Sequence, residues 1–125
     1  MITVNNLVLT SPMDVWKDLD ELYGKVSVPE EAIGPEDLSH ISKLIGWCTN
    51  QRAYLLSLSA FAEVETKRIN RSGPKEAYQD MVSKKNIIKT YLDLLKGIYD
   101  ASSRQLTIYQ NQNDEFLRNS RGDLV

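Results

Sequence analysis

The sequence has few of the residue types from which active sites and metal centres are built. It contains one histidine, His40, and one cysteine, Cys48. A zinc site needs several such ligands, and a Ser–His–Asp or Cys–His arrangement could use only His40. His40 lies at the polar start of a predicted helix, and Cys48 lies among apolar residues, where a buried thiol is expected. No glycine-rich phosphate loop follows a strand. The sequence therefore predicts a protein that is not an enzyme and that holds neither a metal ion nor a cofactor.

Long apolar runs are also missing. No run approaches the roughly 20 residues that a membrane span requires, and residues 1–10 lack the basic and apolar regions of a secretion signal. A single cysteine cannot form a disulfide within the chain, which suits a reducing compartment. We therefore expect one domain of 125 residues in the cytoplasm, without membrane association.

Charge is distributed unevenly along the chain. Residues 1–38 hold eight acids and two bases, whereas residues 39–90 hold nine bases and four acids. Seven bases lie between Lys67 and Lys89, where only two acids oppose them. Such a local excess of positive charge can attract polyanions even though the formal net charge of the chain is −2.

The first part of the chain predicts an arm, a short helix and a linker. Residues 1–10 are rich in β-branched and other apolar residues, which favours an extended arm. A helix over residues 12–24 follows, because Ser11 can cap its start and Gly24 suits its end. Prolines, a glycine and acidic residues make residues 25–35 a linker.

The remainder predicts two long helices. Apolar residues recur at gaps of three and four along both segments, which is typical of helices with one buried side. The first helix is predicted over residues 36–71 and the second over residues 74–116, with a turn at Gly73 and a frayed tail over residues 117–125. The predicted fold class is all-α: a long antiparallel helical hairpin with a short N-terminal helix and an extended N-terminal arm.

A hairpin of this length has more apolar surface than the short helix can cover. Both long helices carry two neighbouring apolar rows, so the uncovered surface predicts a homo-oligomer. The oligomer seam is expected along one row of the second long helix. Its residues are Leu92, Leu95, Tyr99 and Leu106.

The turn between the long helices is basic and has two interpretations. Residues 67–75 read KRINRSGPK. In the first, the turn is basic simply because a turn between long helices is exposed to solvent and must be polar. Alternatively, its cations bind phosphate oxygens without reading the base sequence, and Tyr78, close to Lys75, stacks on a base. The residues that would bind nucleic acid are Lys67, Arg68, Arg71, Lys75, Lys84, Lys85 and Lys89.

The stretch LLKGIYDASSRQLTIYQNQNDEF, residues 94–116, resembles the C-terminal helix of the UvsY-like recombination mediators of T-even-type phages. The letters agree over residues 97–104, and the general pattern agrees over about residues 40–115. The order of a short helix, a long helix, a basic turn and a second long helix is also similar. The resemblance implies a small helical homo-oligomer in the host cytoplasm. It would bind single-stranded DNA and help load a recombinase onto strands coated by single-strand-binding protein.

A second hypothesis belongs to a different class of protein. The acidic segment from Glu30 to Asp37 could mimic nucleic acid or dock on a basic partner. The chain would then be a small helical protein-interaction factor, such as a phage-encoded inhibitor or assembly protein. Binding to a labelled oligonucleotide distinguishes the two hypotheses.

Overall fold

The computed structural model of the protein describes residues 1–28 and 35–122. Three helices lie within these ranges: α1 (Pro12–Tyr23), α2 (Pro35–Ser72) and α3 (Lys75–Gly122). No strand occurs in the described residues, and the predicted all-α class is confirmed. The predicted linker residues 29–34 and the last tail residues, 123–125, lie outside the described part of the chain.

α2 and α3 form the predicted antiparallel hairpin, with a tight turn at Gly73 and Pro74. A Cβ atom added at Gly73 would lie 2.6 Å from a methyl carbon of Ile69 and 3.0 Å from the Ile69 carbonyl oxygen, so the turn requires glycine. α2 has 38 residues and α3 has 48. The end of α3 therefore passes α2 by about 15 Å at 1.5 Å per residue.

α3 also continues past its predicted end at residue 116. No proline or glycine occurs between that position and Gly122, so nothing in the chain stops the helix. The predicted tail is therefore partly helical. Residues 110–119, which include most of the stretch beyond α2, are all exposed.

α1 packs against α3 beside the hairpin. Its predicted start is confirmed, because the Asp14 backbone N–H donates to Ser11 Oγ at 3.2 Å. The Tyr23 ring lies edge-on to Trp47 of α2, with ring centroids 5.7 Å apart, and 6.1 Å from the ring of Tyr91 of α3. The buried residues of α1 are Val15, Leu19 and Tyr23.

The N-terminal segment, residues 1–10, is not an extended arm, and that part of the prediction is wrong. Residues 4–9 form successive turns, with the Leu7 N–H donating to the Thr3 carbonyl at 3.0 Å. Ile2 and Leu7 are buried in the core, and the Tyr54 hydroxyl donates to the Ile2 carbonyl. The described residues offer no sheet edge with which an extended segment could pair, so the segment folds its backbone into turns while burying both side chains.

The core runs between the three helices and contains Cys48, which is buried as predicted. On α3 the buried positions alternate at gaps of three and four: Met81, Lys84, Ile88, Tyr91, Leu95, Ile98 and Ser102. This row corrects the predicted oligomer seam. Leu95 has no exposed surface in the single chain, so it cannot contact another subunit. Leu92, Tyr99 and Leu106 are half-buried on the adjoining side of α3.

None of the helices within the described residues is long and apolar enough to cross a lipid bilayer.

Candidate nucleic-acid interface

The tip of the hairpin brings four exposed cations together. They come from the last turns of α2 and the first residue of α3: Lys67, Arg68, Arg71 and Lys75. The α2 members, with Val64 and Ser72, line a shallow depression of about 450 Å³. α1 does not cover this tip, because it packs further along α3, near Ile87 and Tyr91. The cations therefore face solvent and can be reached by an anion.

Two of these cations are already paired with acids of α2. Arg68 donates to both Glu65 carboxylate oxygens, with a shortest distance of 2.7 Å, and this hydrogen bond lowers the pKa of Glu65. Lys67 lies 3.8 Å from Glu63. Lys67, Glu63 and Arg68 are exposed and Glu65 is half-buried. Ion pairs at the surface contribute little to stability. Arg68 is nevertheless a weaker candidate for binding phosphate, because its Nε and one terminal nitrogen already donate to Glu65.

Arg71 and Lys75 have no such partner. Among the described residues, no carboxylate lies within salt-bridge distance of either side chain. Both are exposed, and they lie on opposite sides of the Gly73–Pro74 turn. Their charges are therefore compensated only by solvent and counterions, which is the condition under which phosphate binding releases counterions and gains free energy.

Lys84 does not belong to the interface, and its assignment as a nucleic-acid-binding residue is wrong. Its side chain is fully buried, and Nζ donates to the carbonyls of Leu7 at 2.9 Å and Val8 at 3.1 Å. The same nitrogen lies 2.7 Å from an Asp80 carboxylate oxygen. All three donor directions of the ammonium are thus used inside the chain, and no phosphate can reach it.

Lys85 and Lys89 extend the basic surface from the tip along α3. Spacings of four and seven residues place Lys85, Lys89 and Lys96 on one side of the helix. Ile87 lies on nearly the opposite side, where it lines a cleft with Met13 and Trp16 of α1. The lysines therefore face away from α1 and its acids. Lys89 and Lys96 are exposed, and Lys85 is half-buried.

Lys96 was missed by sequence reasoning, which followed charge density along the chain instead of position around the helix. The spacing from Lys89 would have placed it on the same side. Asp93 and Asp100 flank Lys96 by three and four residues. The uncompensated positive charge is therefore concentrated between Arg71 and Lys89. Lys96 adds less to it because acids flank this residue.

Two tyrosines border the lysines of α3. Tyr78 and Tyr99 are half-buried and pack against the core, so each presents only part of its ring to solvent. Tyr78 lies between Lys75 and Lys85 in position and is the better placed for contact with a base. Its ring can receive a base at an exposed edge or face without leaving the core.

The described residues hold no group of three or more His, Cys, Asp or Glu side chains that could bind a metal ion. No protein-family model, curated protein or solved structure matches the chain. The function is therefore inferred from the residues and their positions in the fold.

Proposed function

We propose that the chain is a non-enzymatic, homo-oligomeric protein that binds single-stranded DNA through the tip of the hairpin and the adjoining side of α3. The observation that carries the proposal is the group of cations without carboxylate partners at one end of the molecule, Arg71, Lys75, Lys85 and Lys89. A row of this kind follows a phosphate backbone and gives affinity without base selection.

The further role in recombination follows from the UvsY-like resemblance. A protein that holds single strands at several tips of one assembly would keep the strand available while a recombinase displaces single-strand-binding protein. Weak sites repeated in an oligomer gain avidity, so each tip can release its strand locally while the assembly stays bound.

A second candidate is supported by the surface of α1. Met13 and Trp16 are 60% and 46% exposed, and with Ile87 they line an apolar cleft of about 370 Å³. α1 also carries four acids and one base. An apolar cleft on an acidic helix suits a protein-interaction factor that docks a basic partner. Of the acidic segment first considered for this role, Glu30 and Glu31 lie outside the described residues.

The proposal is tested by replacing Arg71, Lys75, Lys85 and Lys89 together with alanine. Binding of a labelled oligothymidylate is measured by fluorescence anisotropy at several salt concentrations. Removing one phosphate interaction should reduce the slope of log K against log salt by about 0.7, and the affinity should fall similarly for other base sequences.

The matched control replaces four other exposed bases, Lys17, Lys25, Arg104 and Arg118, and changes the net charge by the same amount. It should retain most of the affinity and the parent slope. Equal reductions in both variants would show that only net charge matters, and a parent that does not bind would leave the interaction-factor function as the better proposal. Recombinase assembly on coated strands should be accelerated by the parent and by the control, but not by the tip variant.

A further inference from the structure

The side of α2 that faces away from the core has almost no charge. From Leu44 to Ala62 the only charged residue is Arg52. The exposed residues of this stretch are Gly46, Thr49, Asn50, Ala53, Leu56, Ser57 and Ala60, and Val64 follows one turn later on the same side. Leu56 is 53% exposed and Val64 is 64% exposed. A helix side that faces water normally carries lysine and glutamate, so this composition is typical of a covered surface.

We propose that this outer face of α2 binds a second copy of the chain, with the two α2 helices antiparallel and related by a two-fold axis near Ala53. The inference supplies an interface for the homo-oligomer and rests on that part of the proposed function. It does not depend on DNA binding. The resulting interface is isologous, because the same residues contribute on both copies.

The small residues of the face fit this arrangement. Gly46, Ala53 and Ala60 are spaced by seven residues, so they lie in one line along α2. With the axis at Ala53, Gly46 of one copy faces Ala60 of the other, and the two Ala53 residues face each other. A Cβ atom added at Gly46 would meet nothing within 4 Å in its own chain. Packing within the chain therefore leaves this position open to a close approach by a second helix.

Two bulky residues provide apolar area on either side of the small ones. Leu56 lies three residues beyond Ala53, so its side chain reaches over the partner helix next to the axis. Val64 lies near the end of the face and borders the tip depression. On the second copy each of them meets small or uncharged residues, around Asn50 and Ser42 respectively, and no charge is buried by either contact.

Charges at the edge of the face favour the antiparallel direction. Four ionisable residues lie along the edge nearer to α1: Glu36, Lys43, Glu65 and Arg68. Glu65 and Arg68 are already paired within the chain. Lys43 lies ten residues before Ala53 and Glu65 twelve after it, so the antiparallel arrangement adds Lys43 of the second copy to this pair. Glu36 lies 17 residues before Ala53 and Arg68 lies 15 residues after it, so they also come together between copies. Parallel helices in register would instead repeat each charge opposite itself.

This complementarity identifies the occupant as a second copy. Both halves of each pair, and both halves of the small-residue line, are present on the same face of the same chain. An unrelated helix would have to carry the same charge order in reverse. Arg71, Lys75 and Lys89 are not used in these pairs, so the surface proposed for DNA stays open in the dimer.

The test uses the self-facing position. Ala53→Cys should form an intermolecular disulfide under mild oxidation, because the two Cβ atoms meet at the axis. Ser83→Cys, an exposed position on α3, is the matched control and should not cross-link. The parent's single cysteine, Cys48, is buried and gives the background level.

A second measurement uses sedimentation equilibrium without DNA. The parent should be heavier than the 14.2 kDa chain. Ala53→Glu should raise the dissociation constant at least tenfold, whereas Ser83→Glu should leave it unchanged. Lys43→Glu should also weaken the dimer, because it would face Glu65 of the second copy. The parent could be heavier than one chain while Ala53→Glu leaves its mass unchanged and Ala53→Cys does not cross-link. That result would overturn the α2 interface but not the homo-oligomer. A monomeric parent would overturn both, and the oligonucleotide assay would still decide DNA binding independently.

Discussion

At position 84 a lysine occupies a row of α3 in which every other buried residue except Ser102 is apolar or aromatic. An ammonium group without partners would be costly there, but it has two carbonyl acceptors and a carboxylate. The Val8 carbonyl depends on this ammonium group, whereas the Leu7 carbonyl also accepts from the Thr10 backbone N–H at 3.4 Å. Lys84 therefore fixes the N-terminal segment to α3, as Tyr54 fixes it to α2.

Replacing Lys84 with methionine tests this role. The volume is largely kept, but Asp80 and the Val8 carbonyl lose the ammonium donor and the Leu7 carbonyl keeps only the Thr10 N–H, so the free energy of unfolding should fall by about 1–3 kcal/mol. Amide hydrogen exchange in residues 3–9 should accelerate more than exchange in the hairpin.

Lys85→Met is the matched control, since it changes the same residue type one position away. It should alter the free energy of unfolding by no more than about 0.5 kcal/mol. Equal protection of residues 3–9 in the parent and in Lys84→Met would contradict the anchoring role.

Sequence reasoning failed at Lys84 for a physical reason. A lysine within a basic run is normally solvated, and the sequence gives no sign that two carbonyls about 77 residues earlier in the chain will be brought to its ammonium group. The row itself was accessible, because Met81, Ile88 and Leu95 already mark it at a seven-residue spacing. By contrast, Arg71 and Lys75 could be placed correctly, since a local Gly–Pro turn alone decides their exposure.

At the scale of elements, α1 is attached to the hairpin by tyrosines. Tyr23 donates to Gln51 of α2 at 2.7 Å, and Tyr91 of α3 donates to Asp20 of α1 at 3.1 Å. Burial raises the pKa of both hydroxyls, and Asp20 adds to the effect at Tyr91, whose pKa rises to about 12. The attachment therefore depends on these hydroxyls staying protonated.

The protein should lose stability between about pH 10 and pH 12. The unfolded chain releases its tyrosine protons near pH 10, whereas the folded chain holds that of Tyr91 until its pKa of about 12, so rising pH favours unfolding in this window. Tyr91→Phe should be less stable than the parent at neutral pH by about 1 kcal/mol and should show a shallower alkaline decline.

Chemical denaturation followed by circular dichroism at a series of pH values measures both effects. Tyr109→Phe is the control, because it removes the same hydroxyl about 27 Å further along α3. If Tyr91→Phe and Tyr109→Phe lose stability equally over the alkaline range, the contact with Asp20 is not the cause.

The elements themselves could be predicted more completely than their contacts. The three- and four-residue gaps between apolar residues, the cap at Ser11 and the turn at Gly73 are local signals. They predict the three helices, with errors mainly at the helix ends. Leu95 was wrongly assigned to the oligomer seam because Leu92 and Leu95 both fit a helical row, and only the packed structure shows that Leu95 has no exposed surface.

At the scale of the whole molecule, the proposed dimer separates two DNA sites. Gly73 lies 20 residues from Ala53, so each tip is about 30 Å from the two-fold axis and the two tips are about 60 Å apart. A single strand long enough to reach both would bind both, and the second contact would be made at a high effective concentration.

Affinity should therefore rise steeply with oligonucleotide length once both tips can be reached. In a length series of oligothymidylates measured by anisotropy, the parent should gain tenfold or more across the threshold. Ala53→Glu should keep the affinity for short strands and lack the gain for long ones. A smooth increase with length that is the same in both proteins would contradict the two-tip arrangement.

The anchoring of the N-terminal segment by Lys84 also sets an order of events during synthesis. The segment is made before α3, and the Leu7 carbonyl meets the Lys84 ammonium group only after another 77 residues have been added. At about 5–20 residues per second this takes roughly 4–15 s. Throughout that time the segment lacks its bond to α3, so it can be fixed there only after most of the hairpin has been made.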